Sequence, residues 1–353
     1  MSAAIDRADP ASLAAFDAVI DVRTPAEFAV DHVPGAVNLP VLSNEERAHV
    51  GTIYVQDSRM KARRIGAALV ARNIAAHLEG ALKDKPGSFA PLVYCWRGGQ
   101  RSLAMATVLE QVGWRPTRLS GGYMTYRRRV TAALYGEAPP PDLVLLDGYT
   151  GSAKTEILRR LVAQGVRTLD LEGLAGHRGS LFGAIPGQDQ PPQKRFESAL
   201  LAELEGLDRG AAIVVEAESS KVGQVNLPPL LWKAMAAAPR IEIAAPREAR
   251  VDYLLGAYDD LAQNTDAVAA ALTGLTTRHG RAQIGQWRDQ LAGGDLRGLA
   301  HSLVELHYDP AYERGRREAA RSVLGVVAMS DLGSDQLERA AEAIAQLVAG
   351  RRP

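Results

Sequence analysis

The sequence predicts an α/β protein of two domains with a helical C-terminal extension, and three observations carry that reading. Two apolar runs, Leu92-Val93 and Leu143-Val144-Leu145-Leu146, are each followed at once by a glycine-rich loop and then by residues at helical apolar spacing. Between them Pro139-Pro140-Pro141 stops regular structure, because consecutive prolines continue neither a helix nor a central strand and act as a stiff spacer. From Pro246 to the end the pattern is helical, with breaks at Asn264, Gly293-Gly294 and Asp309-Pro310. A chain of 353 residues exceeds one ordinary core. The expected domains are 1–138, 142–245 and 246–353, the last packed on the second.

Composition narrows the class. The apolar share of 46% suits a globular protein, and 41 basic against 41 acidic residues cancel. A polyanionic partner must therefore meet a local basic patch and not the field of the whole molecule. One cysteine excludes an internal disulfide framework and agrees with a reducing compartment. Met1 to Pro10 carries Asp6 and Asp9 and lacks the basic start and apolar stretch of a secretory signal, and no apolar run is long enough to span a bilayer. A cytoplasmic protein without a membrane partner is expected.

In the first domain, Ala18-Val19-Ile20-Asp21-Val22-Arg23 reads as a strand, and Thr24 can cap a helix that starts on Pro25. Ala36-Val37-Asn38-Leu39-Pro40 is a second short strand, and Arg59 to Leu78 reads as an amphipathic helix with a solvated basic face. The central stretch is Tyr94-Cys95-Trp96-Arg97-Gly98-Gly99-Gln100-Arg101-Ser102. It places the only thiol at a strand end, before a helix running to Val112. Loop amides of Trp96, Gly98, Gly99 and Gln100, the positive helix end and the guanidiniums of Arg97 and Arg101 favour the thiolate, which is the nucleophile. Arginine also offers its fork to an oxyanion such as phosphate or selenite. A lone cysteine is more often a small buried hydrophobe, but such cysteines are not normally flanked by Arg-Gly-Gly-Gln-Arg. Further on, Thr117-Arg118-Leu119 is strand-like, and Gly121-Gly122 turns into Tyr123-Met124-Thr125-Tyr126-Arg127-Arg128-Arg129. That run suits stacking on bases with phosphate neutralisation and, equally, surface solubility.

The cysteine loop resembles the active-site loop of rhodanese domains, in which the cysteine carries sulfur or selenium as a persulfide or perselenide. Asp21-Val22-Arg23, Glu27-Phe28, His32 and Gly35-Ala36-Val37-Asn38-Leu39-Pro40 resemble the amino-terminal signature of the same family. Asp31 departs from it, where glycine often precedes the histidine, and is expected to affect a turn only. His32, a lone histidine beside a turn, is read as a structural hydrogen-bonding residue.

The second domain opens with strand, glycine loop and helix: Leu143 to Asp147, then Gly148-Tyr149-Thr150-Gly151-Ser152-Ala153-Lys154-Thr155, then Glu156 to Gln164. This matches the phosphate-binding P-loop at its first glycine, lysine and threonine, for close backbone approach, contact with phosphate oxygens and Mg2+ ligation. Gly148, Thr150, Gly151, Ser152, Ala153, Lys154 and Thr155 are the expected phosphate cradle, with Thr155 the metal ligand. Ala153 stands where the pattern has glycine, and a positive φ there would cost alanine on the order of 1 kcal/mol. Ala211 to Val215 is a strand ending in Glu216-Ala217-Glu218, the place of an acidic residue near the metal, here Glu216 or Glu218. His177, Arg178, Lys194 and Arg195 lie between loop and strand and suit a second anionic group or a surface loop. Arg240 to Ala245 is read as the last strand.

Both halves together resemble the bacterial tRNA 2-selenouridine synthase family over nearly the whole chain. The Cys95–Ser102 loop, Thr150-Gly151-Ser152 with Lys154-Thr155, His177-Arg178-Gly179-Ser180, Gln193-Lys194-Arg195-Phe196-Glu197 and Glu216 to Ser219 stand in family order. The resemblance implies an enzyme that replaces sulfur by selenium in wobble 2-thiouridine of tRNA, with selenophosphate as donor, and a related geranylation of that sulfur from geranyl diphosphate. It implies roles for Cys95, Arg97, Arg101 and Lys154. The rival reading is a thiosulfate-type sulfurtransferase with an attached nucleotide-binding regulatory domain.

Overall fold

Apolar strands with glycine loops at their carboxyl ends build two parallel five-stranded sheets, one in each of two units. The computed structural model describes residues 3–207, 210–257, 265–319 and 321–351. One unit comprises Met1–Glu137 with Pro192–Ala202, the other Ala138–Pro191 with Glu203–Pro353.

The first unit contains, in order, β1 (Ala3–Ile5), α1 (Pro10–Leu13), β2 (Ala18–Asp21), α2 (Pro25–Val30), β3 (Val37–Asn38), α3 (Asn44–Gln56), α4 (Arg59–Glu79), β4 (Pro91–Tyr94), α5 (Gln100–Val112), β5 (Thr117–Leu119) and α6 (Tyr123–Tyr135). The sheet order is β1-β5-β4-β2-β3, parallel throughout. All four residues of central β4 are buried, as a parallel strand covered on both faces requires. Cys95 follows directly, at the carboxyl edge where open α/β sheets place their ligands. Thr24 and Glu27 form a capping box around α2, with Pro25 at its first turn. Ile20, Val93, Met105, Leu109 and Ile74 pack the core.

The second unit contains β6 (Leu143–Gly148), α7 (Lys154–Ala163), β7 (Thr168–Leu169) and α8 (Leu171–Ala175). The next helix, α9 (Gln193–Gly206), belongs to the first unit as far as Ala202. There follow β8 (Ile213–Glu216), the hairpin of β9 (Lys221–Val222) and β10 (Val225–Asn226), α10 (Pro229–Ala237), β11 (Arg240–Ala244) and α11 (Arg247–Ala257). The chain then continues through α12 (Thr265–Gly274), α13 (Thr276–Ala292), α14 (Leu296–Leu303), a π-helical turn (Val304–Tyr308), α15 (Asp309–Ala319), β12 (Val323–Ala328) and α16 (Ser334–Ala349). The sheet order is β12-β11-β6-β8-β7, again parallel. Ile157 and Leu161 of α7 with Leu337 and Ile344 of α16 bury one face.

Three expectations need correction. The C-terminal region is not helical throughout, because Val323–Ala328 is a strand paired with β11, and Arg240–Ala244 is not the last one. A six-residue apolar run carries too little periodicity to separate strand from helix. Residues 192–202 join the first unit and not the second. Asp309-Pro310 is no break: Pro310 sits in the first turn of α15, directly after the π-helical turn. Gly293-Gly294 does end a helix, and Asn264 lies outside the described residues. No helix among the described residues is long and apolar enough to cross a membrane.

Candidate functional site

The thiol loop is shaped by backbone. The Cys95 carbonyl accepts from Tyr123 N at 2.8 Å and the Trp96 carbonyl from Met124 N at 3.2 Å, so the start of α6 fixes the loop from beneath. Gly122 makes this possible. It has a φ of +57°, and a side chain there would run into the Cys95 carbonyl. Cys95 is only 3% exposed; its Sγ accepts the Gly99 amide at 3.2 Å and lies 3.3 Å from Ser102 Oγ. Gly99 caps α5 and supplies no side chain, so that helix start is open toward the sulfur.

The two arginines have different duties. Arg97 is exposed, and no carboxylate engages it among the described ion pairs. Arg101 instead forms a fork with Glu27, at 2.6 and 3.1 Å. Burial raises the Glu27 carboxyl, but hydrogen bonds and charge from Arg101 outweigh it and hold the group below its ordinary value. Arg101 thus ties α5 to α2, while Arg97 stays exposed at the mouth of the loop. Behind the loop, Arg23 binds Asp21 and lies 4.1 Å from the centroid of the Tyr123 ring.

Asp31 does more than affect a turn. It is fully buried, and Tyr123 donates to its Oδ2 at 2.7 Å. Burial pushes its carboxyl up, against the hydrogen bond from Tyr123. His32 stacks on Phe28 and its Nδ1 lies 2.8 Å from the Phe28 carbonyl, a structural setting. Arg127 is unavailable to RNA: its side chain is 14% exposed and ion-paired with Glu197, which also accepts from Tyr135 at 2.6 Å. Lys194 and Arg195 belong to this first unit, where Arg195 contacts His32, and neither lines the phosphate loop.

In the second unit a cavity of about 590 Å3 opens over the glycine loop, within the range of small-molecule sites. Ala153 has φ +57° and ψ +31°, the only positive-φ non-glycine among the described residues. The loop keeps its left-handed turn despite the side chain. Lys154 Nζ donates to the Gly148 carbonyl at 2.9 Å and lies 5.5 Å from the Tyr312 ring centroid. Burial opposes its charge, but Tyr312, Glu218 and Glu172 outweigh it and hold the ammonium above its ordinary value. The Ser152 hydroxyl, in a residue 1% exposed, has no protein partner.

The acidic wall is Glu172 and Glu218. Thr155 Oγ1 donates to Glu172 Oε2 at 2.8 Å. Burial raises both carboxyls; Glu218 is pushed up to about 7 by burial and by Glu172 beside it. Glu216, named with Glu218 from the sequence, is not at the cavity. It is fully buried and accepts the Leu171 amide at 3.0 Å, which holds it at the end of β8. His177 and Arg178 do line the cavity, with the Gly179 amide donating to His177 Nδ1 at 3.2 Å. Leu181, Ile185, Leu254, Ala257 and Tyr308 add an apolar lining.

Sequence reading missed Glu172, Tyr312 and Arg250. Glu172 had a local signal, since Asp170 caps α8 and fixes the residues after it, but no motif marks the position. Arg250 is 4% exposed, donates to the Thr150 carbonyl at 3.1 Å and forks onto Asp309 at 2.9 and 2.8 Å. It braces the phosphate loop from a position too distant in sequence to be read.

A thiol loop after a central parallel strand, joined to a glycine loop with lysine, threonine and an acidic wall, defines a rhodanese-like domain followed by a P-loop domain. The rhodanese-like domain model matches residues 4–129, and that of the tRNA 2-selenouridine synthase AAA domain matches residues 141–332. A tRNA 2-selenouridine synthase of Cupriavidus necator is 35% identical over 337 residues, covering 86% of this chain and 89% of that one. One of Alcanivorax borkumensis is 33% identical over 339 residues, covering 87% and 91%. One of Chromohalobacter salexigens is 38% identical over 247 residues, covering 69% of this chain and 65% of that protein's length. The chain belongs to the tRNA 2-selenouridine synthase family.

Proposed function

We propose that this protein replaces sulfur by selenium in the wobble 2-thiouridine of tRNA, with selenophosphate as donor and an S-geranylated intermediate made from geranyl diphosphate. The observation that carries the reading is the lining of the second-unit cavity, where Lys154 and the glycine loop share one space with an apolar wall. Such a lining suits a diphosphate with a hydrocarbon tail. The thiocarbonyl sulfur attacks the first carbon of the allylic chain, the carbon–oxygen bond breaks, and diphosphate leaves with the electron pair. Lys154 and the loop amides stabilise the charge that grows on it.

The alkylated sulfur is then a leaving group. The nucleophilic selenium of selenophosphate adds at the same ring carbon, geranylthiol departs with a proton, and water cleaves the selenium–phosphorus bond to release phosphate. The step belongs to the first unit, where Cys95 guides the selenium and Arg97 receives its oxyanion donor. The oxygen set of Thr155, Glu172 and Glu218 fits a hard cation such as Mg2+, which when bound would neutralise leaving-group charge. Mass spectrometry of wobble nucleosides tests the reading. Wild-type protein should yield 2-selenouridine from 2-thiouridine tRNA, Cys95→Ser should yield none with its fold intact, and selenation by the serine variant at the wild-type rate would remove Cys95 from the mechanism.

A further inference from the structure

We infer that the outer end of the α3–α4 hairpin is an RNA-docking surface that takes the sugar-phosphate backbone of the tRNA, an inference that rests on the reading of tRNA as substrate. The hairpin reaches the core cluster at one end only, and in the first half of α4 Ala62 alone is buried. Ile74, Val70 and Leu78, all in the second half of α4, reach the core, whereas α3 buries none of its residues. Near the outer end Val55 is 82% exposed, Met60 72% and Tyr54 45%. These are large apolar groups left in water at a helix junction.

The charges there are unequal. Glu45 and Glu46 are at the opposite end, engaged with Ser43, and Asp57 is held by Lys61 at 2.6 Å. Arg59 and Arg63, and likewise Met60 and Arg64, are spaced i,i+4 and so share one side of α4. All three arginines are exposed, and no carboxylate pairs with them among the described ion pairs. The Arg59 guanidinium lies 5.5 Å from the centroid of the Tyr54 ring. A protein of zero net charge attracts a polyanion only through such a local cluster. Guanidinium forks bind phosphates, and an exposed tyrosine and methionine beside them offer a stacking edge. Of the other basic run, Arg127 to Arg129, Arg127 is neutralised by Glu197, while Arg128 is exposed and donates to Thr125 Oγ1 at 3.2 Å.

The test is binding of an anticodon stem-loop RNA carrying 2-thiouridine, measured by anisotropy at salt from about 50 to about 200 mM. Arg59→Ala/Arg63→Ala/Arg64→Ala should weaken binding about tenfold or more and reduce the log–log salt slope by about 1 for each phosphate the variant no longer neutralises. Lys61→Ala should leave the slope unchanged, and the triple variant should raise KM for RNA with kcat preserved. The pair Arg63→Gln/Arg64→Gln gives the same reading with less change to the helix. A wild-type slope and affinity in both variants overturn the inference. Failure of the wild-type protein to bind this RNA overturns instead the reading of tRNA as substrate.

Discussion

Ala153 shows how a single side chain is tolerated against its backbone preference. Its left-handed conformation costs alanine about 1 to 2 kcal/mol, while its methyl, 4% exposed and packed in the core cluster, returns about 0.8 kcal/mol. The two effects nearly cancel. Ala153→Gly should therefore shift unfolding free energy by less than about 1 kcal/mol in urea titrations, whereas Ala153→Val, branched at the same φ, should be clearly destabilising. A large loss with glycine would mean that the methyl packing outweighs backbone strain. The same residue shows what sequence can convey: the motif locates the loop and raises the question of positive φ, and the folded chain answers it. Glu216 and Glu218 illustrate the limit. Two carboxylates two apart at a strand end look equivalent in sequence, and what separates them is the hydrogen bond from the Leu171 amide that holds Glu216.

Elements are legible where a local pattern suffices. β4 with α5 and β6 with α7 each combine an apolar run, a glycine loop and helical spacing, and all four are readable from sequence. β12 is not, because its partner β11 lies far earlier in the chain and only that pairing makes it a strand. The start of α9 is hidden for a similar reason. Its residues Gln193 to Glu197 follow a glycine-rich loop in sequence, yet Glu197 is held in the first unit by Arg127, Tyr135 and Gln193. Burial raises the Glu197 carboxyl, but these partners outweigh it and hold it below its ordinary value of 4.5. The ionised form therefore stabilises the folded chain. That contribution is fully present above pH 4.5 and is lost as pH falls through the depressed folded value. Glu197→Gln should be less stable than wild type at neutral pH, with the gap closing in acid, as denaturant midpoints across that range would show. A gap independent of pH would mean that the carboxylate acts only through shape and neutral hydrogen bonding.

At the scale of the molecule, the two units would carry different chemistry under the proposed function, and the division can be separated by substrate. The glycine loop can cradle any polyphosphate, and under the proposed function Lys154 and the apolar lining beside it serve a departing diphosphate. Geranyl diphosphate should bind there, and turnover should not consume ATP. Lys154→Ala should remove geranylation, since Lys154 is the only cationic side chain of the loop itself and no other loop residue balances the developing charge. It should also block selenation of 2-thiouridine tRNA while sparing selenation of tRNA supplied already geranylated, which requires only the unit that holds Cys95. Cys95→Ser should show the converse, accumulating geranylated tRNA. Liquid chromatography with mass spectrometry of digested RNA resolves all of these products. Equal failure of Lys154→Ala on both substrates, with its circular dichroism intact, would show that one site serves both steps. A strict need for ATP hydrolysis in the wild-type reaction would make the P-loop an ordinary nucleotide site and leave the alkylation without its diphosphate cradle.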